Sequence, residues 1–299
     1  MTESRTLPAP AAIGLMAKLG ELHPKRFFLE TWQRMDREAA AERQARPGYD
    51  WRPLVALCLG AVCLTLMEYF GGSIIWHRLV TELSASELAQ GPSGLWNAIH
   101  LSSFMELSGF AWWSACRVVG YCLIPILSLW LLGERARDHG LATRGFLQHA
   151  WIYLLCYLIV LGCVITVSFM DSFASYYPFY KQASRSWADF IAWELLYAAQ
   201  FFSLEFFFRG YWLNACKRMM GSHAIFAMVV PYCMIHFGKP WLEALAAIIA
   251  GVVLGTLAMK TRSIWSGVLI HVSVAISMDV AALLQTTGLP RQWLYLPPV

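Results

Sequence analysis

The chain has 299 residues, of which 58% are hydrophobic and only 14% charged, with a formal net charge of +4. An ordinary soluble domain carries about 45–50% apolar and about 25% charged residues, so this composition excludes a water-soluble globule and a disordered chain. What remains is an all-α, polytopic transmembrane helix bundle, because the apolar residues come in continuous runs and not in the alternation of an outer-membrane barrel.

Residues 1–52 hold nine Lys/Arg and seven Asp/Glu and no apolar run long enough to span. The segment is too long and too polar for a signal peptide. It also lacks the aromatic-studded basic runs of a nucleic-acid arm, so no nucleic-acid partner is expected. It reads as a cytosolic extension with a membrane-surface helix around Ile13–Arg34.

Seven apolar runs follow that span or nearly span a bilayer: Pro53–Trp76, Leu107–Leu132, Phe146–Met170, Trp187–Met219, Ile225–Phe237, Leu242–Met259 and Ile264–Leu284. The fifth is short and the fourth long. The chain therefore divides into the extension (1–52), a first group of membrane helices and loops (53–186), a core group (187–284) and a tail (285–299). Basic residues mark alternate connections: Arg135, Arg137 and Arg144 after the second run, Lys217 and Arg218 after the fourth, Lys260 and Arg262 after the sixth. The positive-inside rule then predicts a cell inner-membrane protein with its N-terminus in the cytoplasm and its C-terminus outside. The long loop His77–Glu106 contains Leu95–His100, which reads as an interfacial segment beside Trp96. Eight cysteines are scattered through the apolar runs without a CxxC, so they read as small buried helix residues and not as a disulfide framework.

Ionisable side chains inside a span cost about 2.5–3.5 kcal/mol each at the helix centre. This chain keeps Glu68, Arg117, Glu194, Glu205, Arg209, His236, His271 and Asp279 there. Glu68 and Arg117 each lie 15 residues from the cytoplasmic end of their run, so they sit at similar depth and predict a structural ion pair. Glu205 and Arg209 are four apart and share a helix face. Gly221 is the natural turn between the fourth and fifth runs; Glu205 lies 16 residues before it and His236 15 after it, which levels them. His271 and Asp279 share a face and bracket that level. Three helices thus offer Glu, His, His and Asp to one zone, a set suited to general acid/base work: Glu205 activating water, His236 and His271 orienting it and stabilising the oxyanion. The absence of HExxH argues against a metal, and GxSxG, paired GxGD-type aspartates and a P-loop are also missing, so no cofactor is expected.

These residues resemble the CPBP (CAAX protease and bacteriocin-processing, or Abi) family of glutamic-type intramembrane proteases, whose motifs EExxxR, FxxxH and HxxxN lie on successive helices. The matching segments are Leu204-Glu205-Phe-Phe-Phe-Arg209, Tyr232-Cys-Met-Ile-His236 and His271-Val-Ser-Val-Ala275. The resemblance covers about Trp187–Leu284. It implies an intramembrane endopeptidase acting on a membrane-anchored protein or peptide tail within the lipid, with Glu205, His236 and His271 catalytic and Arg209, Tyr232 and Asp279 in support. Leu204 stands where the family has its first glutamate and Ala275 where it has asparagine. The branch with myxosortase-like processing fits the expected depth of the site. The alternative is a catalytically inactive scaffold, immunity or peptide-binding protein on the same frame.

Overall fold

Hydrocarbon offers no partner to backbone N–H and C=O groups, so a spanning apolar run has to close its hydrogen bonds within itself as a helix. The computed structural model describes residues 20, 23–89, 94–143 and 149–295, and every regular element among them is helical. A π-helical turn over Lys25–Leu29 leads into α1 (Glu30–Ala45). In chain order there follow α2 (Trp51–Phe70), α3 (Ser73–Leu88), α4 (Leu95–His100), α5 (Met105–Leu131), α6 (Ala150–Val167), α7 (Asp171–Tyr176), α8 (Trp187–Met220), α9 (His223–Met234), α10 (Trp241–Thr261) and α11 (Trp265–Gln285). Six of these, α2, α5, α6, α8, α10 and α11, are long and apolar enough to cross a membrane. The short fifth run is α9, so the polytopic bundle has the seven apolar helices expected.

The first run stops earlier than its hydropathy suggests. It was expected to reach Trp76, yet α2 ends at Phe70 and a new helix begins at Ser73. Gly71 sits at the break, where an added Cβ would lie 2.7 Å from the Met67 carbonyl and 3.1 Å from Cys116 Cβ, so the chain turns where α5 presses against it. At 34 residues α8 is the longest span, about 50 Å at 1.5 Å per residue. It carries a π-helical turn over Phe206–Trp212, starting directly after Glu205. A second π turn, Val119–Leu123 in α5, packs on it through Tyr121, whose ring lies 4.9 Å from that of Phe207. Such turns interrupt a helix most often where function needs a side chain re-aimed.

The described part of the N-terminal extension is helical to Ala45, beyond the expected end at Arg34; most of the earlier half of the expected surface helix lies outside the described residues, as does Arg144. Phe27, Thr31, Met35 and Ala39 recur every four residues and are all buried, which gives α1 one docking face. It lies across two turns of the core. Trp32 Nε1 donates to Thr256 Oγ1 at 3.0 Å and Arg34 to the Met259 carbonyl at 2.8 Å. Asp36 accepts from the Ser222 amide at 2.7 Å beside Gly221, whose φ of +57° makes the tight α8–α9 turn. Arg262 reaches Glu38 at 3.1 Å. The acidic side of α1 therefore meets the basic turns after α8 and α10 on one face of the bundle.

Just outside the membrane helices on that face, Glu134 is held by His139 at 2.7 Å and by Arg52 at 3.0 Å. The His139 and Arg52 contacts outweigh burial and keep its carboxyl below the usual carboxylate range. A depressed folded pKa stabilises above the unfolded value of about 4.3 and loses that stabilisation as pH falls through the folded value. Thermal unfolding in detergent should therefore show a stability loss below about pH 4.3 that Glu134→Gln flattens, with the variant less stable than the parent at pH 7 by about 1 kcal/mol.

Candidate functional site

The sequence Phe201-Phe-Ser-Leu-Glu-Phe-Phe-Phe-Arg places one acid and one base on an otherwise apolar helix, and four-residue spacing brings them together. Arg209 Nη1 lies 3.1 Å from Glu205 Oε1, and both side chains are fully buried. A second cation-capable group meets the same oxygen: His271 Nδ1 is 2.7 Å from Glu205 Oε1. Gly267, one turn before His271, makes this approach possible, since a Cβ there would collide with the Glu205 carboxylate. A carboxylate only accepts, so it selects the tautomer in which Nδ1 carries the proton and Nε2 is the acceptor. The Tyr232 hydroxyl then donates to His271 Nε2 at 2.9 Å. Phe201 stacks on the His271 ring at 5.2 Å, and the Arg209 guanidinium lies 4.0 Å over the Tyr232 ring, a cation–π contact that offsets part of its desolvation.

His236 joins through Tyr232. Its Nδ1 donates to the Tyr232 carbonyl at 2.8 Å and the two rings sit 5.0 Å apart. Because a carbonyl only accepts, Nε2 of a neutral His236 is left as a free acceptor. The residues of all three motifs, Glu205, Arg209, Tyr232, His236 and His271, thus form one contiguous network across α8, α9 and α11.

That network is divided by a wall. A cavity of about 430 Å³ is bordered by Glu68, Arg117, Gln200, Leu204, His236 and Lys239 among others. Glu205 and His271 do not border it; Leu204 does. Glu205, expected to touch water, sits behind the cavity wall with its carboxylate taken up by Arg209 and His271.

Two expectations are corrected. Glu68 and Arg117 share a depth, as counted, but form no ion pair among the described residues. Arg117 donates instead to the Met67 carbonyl at 3.1 Å and lies over Trp113 at 5.6 Å. The reason is the early end of α2, which leaves a last-turn carbonyl within reach while Glu68 borders the cavity. Asp279 does not join the zone of Glu205 either. It accepts from Trp193 Nε1 at 2.6 Å and contacts the Glu194 carboxyl. Glu194 was not singled out as its partner, although a signal existed. Eleven residues before Glu205 is about three turns, which puts Glu194 on the same α8 face and about 16 Å away, as Asp279 is about 12 Å beyond His271. The acid pair is a second layer between the same two helices.

A family model for type II CAAX prenyl endopeptidase Rce1-like proteins matches residues 186–277, the stretch that holds all three motifs. The resemblance of this stretch to the CPBP family is thereby shown, and the six helices long and apolar enough to cross a membrane make the chain a multi-pass membrane protein. No curated protein and no solved structure matches the chain.

Removing one partner of a buried ion pair costs about 3–5 kcal/mol, whereas removing both is often close to neutral. Arg209→Leu alone should therefore destabilise the protein by about that amount and Glu205→Leu/Arg209→Leu by much less. Gly267→Ala, which drives a methyl into the carboxylate, should cost about 1–3 kcal/mol. Thermal unfolding of the purified protein in detergent measures all three.

Proposed function

We propose that this Rce1-like chain is a glutamic-type intramembrane endopeptidase that hydrolyses a peptide bond in the membrane-proximal tail of an anchored protein. The observation that carries the proposal is that His236, whose Nε2 has no partner among the described residues, borders a largely apolar cavity together with Glu68, Arg117 and Lys239. His236 orients the attacking water and the developing charge. Behind it, the Glu205–His271–Tyr232 chain fixes the backbone and ring that hold His236 in place. Complete burial between Arg209 and His271 supports a positioning role for Glu205 in place of direct water activation. Asp279, bound to Trp193 and Glu194, supports the α8–α11 packing one layer away.

The basic turns at Lys217–Arg218 and Lys260–Arg262 and the docked α1 mark the cytoplasmic face in this reading, with the N-terminus inside and the C-terminus outside. His236 lies 13 residues along from His223, about 20 Å from that face, so the cavity lies toward the outer surface. This depth suits trimming of an exported protein's membrane anchor, as in myxosortase-like members. Leu204 and Ala275, which replace polar motif positions, favour a second reading, a catalytically inactive binding scaffold.

Profiling of new protein termini in membranes separates the two. Cells expressing the parent chain should show cleaved membrane-protein termini that are missing after gene deletion. His236→Ala and His271→Ala, at normal abundance, should lower cleavage rates by about 10²–10⁴-fold. Identical termini with and without the gene would leave the scaffold.

A further inference from the structure

The cavity contains one imidazole and one carboxylate. Among its described lining residues the imidazole is His236 and the carboxylate is Glu68. A general base has to come within hydrogen-bond reach of the proton it removes, directly or through one water. On α8 the residues that border the cavity are Tyr197, Gln200, Phe201 and Leu204, none of them a carboxylate. Glu205 is fully buried behind Leu204 and occupied by Arg209 and His271. Glu68 has the access that Glu205 lacks: it is exposed, and it sits near the far end of α2, three residues before the break at Gly71.

Its chemistry also needs an explanation. Glu68 has no ion pair or hydrogen bond among the described residues, so its carboxylate is committed to no other group there. The cation expected to pair with it, Arg117, is bonded to the neighbouring Met67 carbonyl, so a guanidinium and a carboxylate stand on the same cavity lining without neutralising each other. His236, Glu68 and Arg117 together give the cavity an acceptor, a base and a cation.

We propose that Glu68, reaching the cavity from α2, is the general base of the hydrolysis and fills the place that Leu204 leaves without a carboxylate on α8. The proposal rests on the endopeptidase reading. In the step it describes, the Glu68 carboxylate removes one proton from a water whose other hydrogen is accepted by His236 Nε2. The water oxygen bonds to the scissile carbonyl carbon, and the Arg117 guanidinium faces the resulting oxyanion. The tetrahedral intermediate collapses, the C–N bond breaks, and the Glu68 carboxylic acid returns its proton to the leaving nitrogen. One water is added across the peptide bond, and the carboxylate is regenerated.

The test uses the full-length protein in detergent or vesicles and an internally quenched peptide spanning a bond found by terminus profiling. Glu68→Gln should lower kcat by about a hundredfold or more with KM little changed. Glu68→Ala should be equally slow and partly restored by added formate, which places a free carboxylate in the vacated space; loss of a structural role would not respond to formate. Leu204→Glu in the Glu68→Gln background should regain activity by returning a carboxylate to the same cavity from α8. Parent-like turnover by Glu68→Gln, or inert Glu68→Ala with no formate rescue and no gain from Leu204→Glu, overturns the assignment to Glu68 while leaving the endopeptidase intact. Membranes whose termini do not change on gene deletion overturn the endopeptidase reading, and the assignment with it.

Discussion

Placing the Glu205 carboxylate and the Arg209 guanidinium in hydrocarbon is the most demanding thing this bundle does. Each charge alone is costly at that depth, and the pair is tolerable only when its geometry is good and its remaining polar atoms find partners. The surrounding architecture packs closely about the pair. Phe206, Phe207 and Phe208 close the other faces of α8, Gly267 lets α11 come close enough for His271 to reach the carboxylate, and the Tyr232 ring of α9 covers the guanidinium. The order of the three helices around one another follows from satisfying a single charged pair.

The same arrangement separates two tasks that one residue pair would otherwise share. Behind the wall, Glu205 is fully buried against Arg209 and His271, and Tyr232 holds the far nitrogen of His271. In front of it, the largely apolar cavity carries a few polar side chains, Glu68, Arg117, Gln200, His236 and Lys239. His236 links the two: one ring nitrogen is committed to the Tyr232 carbonyl, and the residue borders the cavity. Fixing the first nitrogen keeps the second an acceptor while the ring is neutral, in the manner of a hydrogen-bonded histidine whose partner sets its tautomer.

How much of this is legible in the sequence depends on which coordinate is asked for. Hydropathy located the spans, and residue counting from Gly221 levelled Glu205 with His236, because rise per residue is nearly constant in a helix. Counting also levelled Glu68 with Arg117, and both do border one cavity. What counting does not give is rotation about each helix axis. That is why an ion pair was expected between Glu68 and Arg117 where Arg117 instead takes the Met67 carbonyl, and why Asp279 was placed in the zone of Glu205 when it bonds to Trp193 and Glu194. The π turns at Val119–Leu123 and Phe206–Trp212 change that rotation partway along a span, and no residue pattern in either segment announces them. Gly71, by contrast, shortens α2 through a close approach of α5, a contact between distant parts of the chain.

The docking of α1 sets an order of assembly. Its anchors, Ser222, Thr256, Met259 and Arg262, lie 186 to 225 residues later in the chain than the Asp36, Trp32, Arg34 and Glu38 they hold. This helix thus leaves the ribosome long before its seat on the end of α8 and on α10 has been made. Until then its buried face, Phe27, Thr31, Met35 and Ala39, has nothing to pack against. Its closure onto the α8–α9 and α10–α11 turns is the step that reports a finished bundle, so quality control that reads exposed amphipathic helices would see an incomplete chain as long as α10 is missing.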